Sequence, residues 1–145
     1  MGFWIGMLCM GVLVGFGLVV SGVSPIEIFD APALILVIGS AVVAGIIPGG
    51  FRRFYASLAA LRGSEEYSEA ERVLFRRIFQ TMGNVGLGAG FVGTMIAAIQ
   101  ILKHLGSADP STLGAAIATA IISILYGLVW KFYFCVPAEA RIAGS

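Results

Sequence analysis

The stretch from residue 84 to residue 137 decides the fold; it reads NVGLGAGFVGTMIAAIQILKHLGSADPSTLGAAIATAIISILYGLVWKFYFCVP. It holds two apolar segments in which small or polar residues recur every three or four positions. The first set begins at Gly83, directly before the stretch, and continues with Gly86, Gly90, Gly93, Ala97 and Gln100, with Thr94 beside them; the second is Thr112, Ala116, Thr119, Ser123, Tyr126 and Trp130. This spacing places each set on one helix face. A helix face made of glycine lets a neighbouring backbone approach closely, and a face of hydroxyls is expected to turn away from acyl chains. Together the two faces predict a packed helix bundle around a pore.

The composition indicates an integral protein of the lipid bilayer. Hydrophobic residues make up 59% of the 145 residues, charged residues only 12%, and the mean hydropathy is +0.98, whereas a soluble domain is roughly 25% charged. The net charge of +1 and the lack of a basic tract argue against binding to nucleic acid. Cys9 and Cys135 lie far apart in apolar runs, which predicts buried thiols rather than a disulfide or a metal site.

Four segments are long enough to cross a bilayer, since a span needs about 20 mostly apolar residues. They cover about residues 2–23, 32–51, 85–105 and 113–135, and the polar segment 52–82 separates the two hairpins. The sequence therefore predicts a single all-α membrane domain over residues 1–145 with four transmembrane helices.

The placement of charge predicts the orientation. The two short outer loops hold the acidic residues Glu27, Asp30 and Asp109. The middle segment contains most of the basic residues: Arg52, Arg53, Arg62, Arg72, Arg76 and Arg77. The positive-inside rule places this segment in the cytoplasm, and four spans then place both termini there as well. Lys131 stands among aromatic residues, which favours a lysine that reaches toward the membrane surface over one that faces the pore.

The cytoplasmic segment is predicted to hold two helices. The first continues from the second span over residues 51–61 and is broken at Gly63. The second begins with a capping box at Ser68 and Glu71 and runs into the third span. Its exposed residues Arg72, Arg76 and Arg77 either contact a cytoplasmic partner or belong to a solvated helix at the interface.

The available side chains argue against an enzyme. The sequence offers no glycine-rich phosphate loop, metal-binding cluster or nucleophile–base pair, and the single histidine, His104, is predicted at the end of a span. No cofactor or metal is expected. No Asp or Glu lies inside a predicted span, although proton carriers keep a titratable group at mid-membrane depth. If this chain conducts protons, a partner must therefore supply the carboxylate.

Several motifs resemble one membrane family. They are MGNVGLGAGFVGTM at 82–95, DPSTLG at 109–114, LYG at 125–127 followed by Pro137 ten residues after the glycine, and more weakly FDAPALILVIGS at 29–40. In their order and spacing they resemble the MotA/TolQ/ExbB proton channel family, and within it the MotA branch.

The resemblance implies a ring, expected to be a homopentamer, in the bacterial inner membrane. The ring would surround a dimer of single-span partners of the MotB, TolR or ExbD type, each bearing an aspartate in the membrane. Flow of H⁺ or Na⁺ would drive movement of the ring relative to the partner. The residues implied to line the ion path are Thr94, Ser123, Thr119 and Tyr126. Those implied to pack at a ring or partner interface are Gly86, Gly90, Gly93, Ala97 and Gly127.

Two alternatives stay open: a non-conducting scaffold, which departures from the family pattern favour, and a small transporter. Leu87 replaces the MotA proline, and Ile124 takes the place of the fourth-helix threonine. The nearby hydroxyl, Ser123, lies about 100° away around the helix. These two replacements favour a non-conducting scaffold of the same fold, which Thr94 opposes. The other alternative, a small four-span transporter, needs a glutamate in its first span, and residues 1–23 contain none.

Overall fold

A computed structural model describes residues 2–22, 24, 26, 28–63, 67–104, 106 and 110–144. Glu27 and Asp109 lie outside the described residues, and the side chains of His104 and Thr112 are not described. The helices are α1 (Gly2–Val20), α2 (Ala31–Ile46), α3 (Gly50–Ala60), α4 (Glu69–His104), α5 (Pro110–Val129), a π-helical segment (Trp130–Cys135) and α6 (Val136–Ala143). All regular structure in the described part of the chain is helical, which confirms the all-α prediction.

Helix α2 ends earlier than the predicted second span. Asp30 caps the start of α2 by accepting a hydrogen bond from the backbone N–H of Ala33 at 3.1 Å. The helix stops at Ile46, and α3 leaves at a bend of 107°. The prediction that the second span continues directly as a helix over residues 51–61 is therefore wrong, and the bounds of the span itself stay a prediction. Pro48 offers no backbone N–H, and Gly50 adopts a left-handed φ of 72°, which interrupts the helix.

The long helix α4 begins as predicted. The Ser68 backbone N–H and hydroxyl both donate to Glu71 Oε2, at 3.0 and 2.8 Å, and the Glu71 N–H donates back to Ser68 Oγ at 3.4 Å. This confirms the capping box. The helix then runs unbroken from Glu69 to His104. At 1.5 Å per residue it is about 54 Å long, so it exceeds a hydrocarbon layer of about 30 Å.

Helices α5 and α6 form one continuous helical segment, and the π-helical segment lies between them. In the π-helical segment the N–H of Val136 donates to the carbonyl of Lys131, one residue farther back than in an α-helix. The π-helical segment ends at Cys135, two residues before Pro137, whose ring lacks the N–H that a regular helix would use. The helical segment therefore continues past Pro137 into α6.

The main core lies where α3, the first half of α4 and α6 meet. Its buried residues are Phe54, Leu61, Phe75, Ile78, Phe79, Met82, Cys135, Ala138 and Ile142. Gly45 lets α2 pack closely against this core, since a Cβ atom at position 45 would lie 2.6 Å from Met82 Cγ. α1 stays largely exposed along its described side chains.

The helices fit a multi-pass membrane protein. Glu69–Lys103 and Leu113–Ala143 are each long and apolar enough to cross a membrane, and the bent pair α2–α3 makes a third if it counts as one span. The apolar helix over Trp4–Gly17 is shorter. The full count of four spans and the orientation stay predictions.

Candidate functional site

The site is built where the backbones of α4 and α5 touch. A Cβ atom on Gly90 would lie 2.7 Å from the carbonyl oxygen of Ser123 and 3.2 Å from the Cα of Ile124. A Cβ on Gly127 would lie 3.0 Å from the Cα of Leu87. These neighbours are backbone atoms that cannot rotate away, so glycine at both positions sets the distance between the helices.

The remaining small residues extend the same face of α4. A Cβ on Gly93 would meet Ser123 Oγ at 2.9 Å, and one on Gly86 would meet Trp130 Cδ1 at 2.6 Å and Ala41 Cβ at 3.3 Å. Ala97 is also buried. The predicted packing residues therefore make their contacts within this chain: Gly86, Gly90 and Gly93 lie against α2, α5 or the π-helical segment, Gly127 of α5 lies against α4, and Ala97 is buried beside the cavity between α2, α4 and α5. Their role at an interface with another subunit or a partner stays a prediction.

Thr94 directs its hydroxyl at the facing helix. Thr94 Oγ1 lies 2.7 Å from the carbonyl oxygen of Ala120 and 3.1 Å from that of Gly90. Its one proton is donated to α5 or to its own helix, and the side chain is half-buried. The Thr94 hydroxyl thus contributes to the contact between α4 and α5. The place of Thr94 on an ion path stays a prediction.

Thr119 and Ser123 share a cavity beside this contact. The cavity measures about 550 Å³ and lies between α2, α4 and α5; its lining is Asp30, Pro32, Ala33, Leu36, Gly93, Ile96, Ala97, Gln100, Thr119 and Ser123. The Ser123 side chain is only 2% exposed, and its hydroxyl donates to the carbonyl of Thr119 at 3.1 Å. The two predicted hydroxyls are therefore brought together, one turn apart on α5.

Asp30 is the charged residue of this cavity, and the sequence does not predict its place there. The sequence places it among the charges of an outer loop, yet its carboxylate caps α2 and lines the cavity with Thr119 and Ser123. A local signal is present, because an Asp two residues before Pro32 is typical of a helix start. Its position against α5 depends on residues almost a hundred positions away in the chain, which no local pattern reveals.

Tyr126 positions the start of α2 rather than lining this cavity. Its hydroxyl donates to the carbonyl of Ile28 at 2.5 Å and accepts from the backbone N–H of Asp30 at 3.1 Å. These bonds connect α5 to the residue that carries the carboxylate. The Tyr126 side chain lines a separate, apolar cavity of about 140 Å³ with Met7 and Trp130.

The basic residues lie away from the cavity. Arg72 Nε donates to the carbonyl of Tyr67 at 3.3 Å, whereas Arg76 and Arg77 are exposed on the first half of α4. Contact of these three with a cytoplasmic partner stays a prediction. Lys131 Nζ donates to Asn84 Oδ1 at 2.9 Å and so joins α4 to the π-helical segment.

The described residues hold no group of three or more His, Cys, Asp or Glu side chains placed to bind a metal ion. Cys135 is buried, Cys9 is exposed, and both are free thiols. The polar chemistry that the described cavity offers is one carboxylate, one amide and two hydroxyls.

Comparison with known proteins points to one family. The model of the MotA/TolQ/ExbB proton channel family matches residues 55–144, from within α3 to the end of α6. The matched region contains the contact between α4 and α5 and both cavity hydroxyls.

Individual relatives agree with this match. Motility protein A of Aquifex aeolicus is 32% identical over 65 residues, which are 45% of this chain and 25% of that protein. Chemotaxis protein PomA of Vibrio alginolyticus is 24% identical over 85 residues, 59% of this chain and 33% of PomA. Uncharacterized protein YtxD of Bacillus subtilis is 31% identical over 67 residues, 46% of this chain and 24% of YtxD. The chain spans about a quarter to a third of the length of these relatives.

Proposed function

We propose that this chain, which belongs to the MotA/TolQ/ExbB proton channel family, is the ion-conducting ring subunit of a membrane motor driven by H⁺ or Na⁺. The family is one of inner-membrane channels and motor stators rather than enzymes. In the proposed assembly, four spans with both termini in the cytoplasm form each subunit. Five subunits surround a dimer of a single-span partner that carries an aspartate in its membrane helix.

The observation that carries this proposal is the polar cavity beside the contact between α4 and α5. Thr119, Ser123 and Gln100 offer oxygen atoms to a cation or to ordered water, and Asp30 adds a negative charge at the start of α2. A hydroxyl or a carboxylate in lipid is costly unless it faces protein or water. Two hydroxyls, one carboxylate and one amide around one space support an aqueous route for a cation.

The proposal is tested by ion flux into vesicles that contain the chain together with its partner. Ser123→Ala and Thr119→Val remove the cavity hydroxyls, and we expect each to reduce flux at least about tenfold, about 1.4 kcal/mol in barrier height. The matched control is Thr81→Val, because Thr81 donates to the Arg77 carbonyl of its own helix at 2.8 Å, outside the cavity. Equal flux in all three variants and the wild type would remove the cavity from the ion path.

A non-conducting scaffold is the second candidate, and Thr94 is the observation that favours it. Its hydroxyl already has a backbone acceptor in α5, so it serves helix packing without any ion. Thr94→Ser keeps the hydroxyl that donates to the Ala120 carbonyl, whereas Thr94→Val removes this hydroxyl. A scaffold predicts that the ring forms with wild-type chain but that no variant changes ion flux, because the wild type passes none.

A further inference from the structure

α3 is placed like a helix that lies along a membrane surface. It follows α2 after a bend of 107°, so it runs roughly across the direction of the span. Its inner face carries Phe54 into the core, Leu61 follows there directly after the helix, and the Ser57 hydroxyl is satisfied by the carbonyl of Phe54 at 2.7 Å. Tight packing of this face fixes which side chains of α3 point outward.

The outward side of α3 combines an aromatic strip with arginines. Phe51 and Tyr55 are each 67% exposed. At about 100° per residue they stand about 40° apart on the helix. Arg52 and Arg53 are exposed; around the helix Arg52 stands about 60° from Tyr55, whereas Arg53 stands about 160° from both rings. Exposed aromatic rings beside guanidinium groups are typical of helices whose apolar side enters the boundary between headgroups and acyl chains.

The two arginines open onto a cavity between α3 and the beginning of α4. It measures about 380 Å³ and is lined by Arg52, Arg53, Ala56, Tyr67, Glu71 and Phe75. Among these described lining residues Glu71 carries the one negative charge, and its Oε2 is held by both donors of Ser68. Arg72 stands next to the cavity with its Nε on the Tyr67 carbonyl. The positive charges therefore outnumber the negative one around this space.

We propose that this cavity binds the phosphate of an anionic phospholipid, whose acyl chains lie along Phe51 and Tyr55. Arg52 and Arg53 pair with the headgroup, since guanidinium groups match phosphate oxygens in charge and in geometry. The apolar strip distinguishes this occupant from a soluble anion, which gains nothing from exposed aromatic rings. The proposal requires a membrane location and is independent of ion conduction.

The experiment measures which lipid the purified full chain retains. The chain in mild detergent is exposed to equal amounts of phosphatidylglycerol and phosphatidylcholine with the same acyl chains, and bound lipid is quantified by mass spectrometry. We expect the wild type to prefer phosphatidylglycerol. Each arginine near an anionic headgroup contributes about fivefold, so the double variant Arg52→Gln/Arg53→Gln should lower the preference between about fivefold and about 25-fold.

The matched control is Arg76→Gln/Arg77→Gln, which removes the same charge from exposed positions on α4 outside the cavity. It should keep the wild-type preference. Arg52→Gln alone, with an expected loss of about fivefold, is the second variant if the double variant loses helical content. Phe51→Ala should reduce retention of both lipids while leaving their ratio unchanged.

Three results overturn the proposal. The first is a wild-type ratio near one, and the second is the same loss in the Arg52/Arg53 and Arg76/Arg77 double variants. The third is displacement of phosphatidylglycerol by millimolar inorganic phosphate, which would assign the cavity to a soluble anion instead of a lipid.

Discussion

At the scale of single residues, the distance between α4 and α5 depends on two glycines. Gly90 and Gly127 meet backbone atoms of the opposite helix, so a side chain at either position has no rotamer that relieves the contact. Gly88 in the same helix is free of this constraint, because it is exposed and a methyl group there would have nothing within 4 Å. The periodic spacing predicts the face, and the atomic contacts identify which members of it are indispensable.

We predict that Gly90→Ala destabilises the fold while Gly88→Ala does not. The methyl group at position 90 would lie 2.7 Å from the Ser123 carbonyl oxygen and force the helices apart. Overpacking of this kind costs about 1–3 kcal/mol. At position 88 alanine adds helix propensity worth up to about 1 kcal/mol. Thermal unfolding in detergent, followed by the helical circular dichroism signal, compares the two; equal shifts would contradict the close contact.

At the scale of elements, the residues that start a helix lie close together in the sequence. The residues that determine where the helix packs in the fold do not. The capping box at Ser68 is predictable because both partners lie within one turn. The end of α2 has a local signal in Pro48, Gly49 and Gly50, but hydropathy alone extends the predicted span past it, because apolar residues continue beyond Ile46 to Ile47 and Phe51. Hydropathy does not reveal that Gly50 turns the chain so that Phe54 reaches the core.

The capping box yields a prediction about proton binding at the start of α4. Hydrogen bonds from Ser68, and to a smaller extent the charge of Arg53, lower the pKa of Glu71 below its ordinary value. A lowered pKa in the folded state means that the charged carboxylate adds stability above its ordinary pKa of about 4.3. That contribution is lost as pH falls through the folded-state pKa.

Ser68→Ala should therefore raise the pKa of Glu71 toward its ordinary value, and Arg53→Gln should raise it less. Titration of the Glu71 carboxyl carbon by NMR in both variants and the wild type measures this order. A larger rise in Arg53→Gln than in Ser68→Ala would show that charge, rather than the capping box, holds the carboxylate ionised.

At the scale of the whole molecule, sequence and structure reveal different features. Composition and motifs predict the membrane location, the all-α class and the family. They do not predict the cavity, because Asp30 reaches Thr119 and Ser123 only through packing of α2 against α4 and α5. The sequence also indicates that this chain offers no carboxylate within a span. Asp30 nevertheless lies at the cavity, although outside the apolar run of α2.

We infer that the chain conducts ions only as a ring around an aspartate-bearing partner. The most direct test is passive H⁺ and Na⁺ flux into vesicles containing either the purified chain alone or the chain co-purified with its single-span partner. We expect flux of one ion with the partner and little flux without it. Equal flux from the chain alone, or no flux of either ion with the partner present, would contradict it.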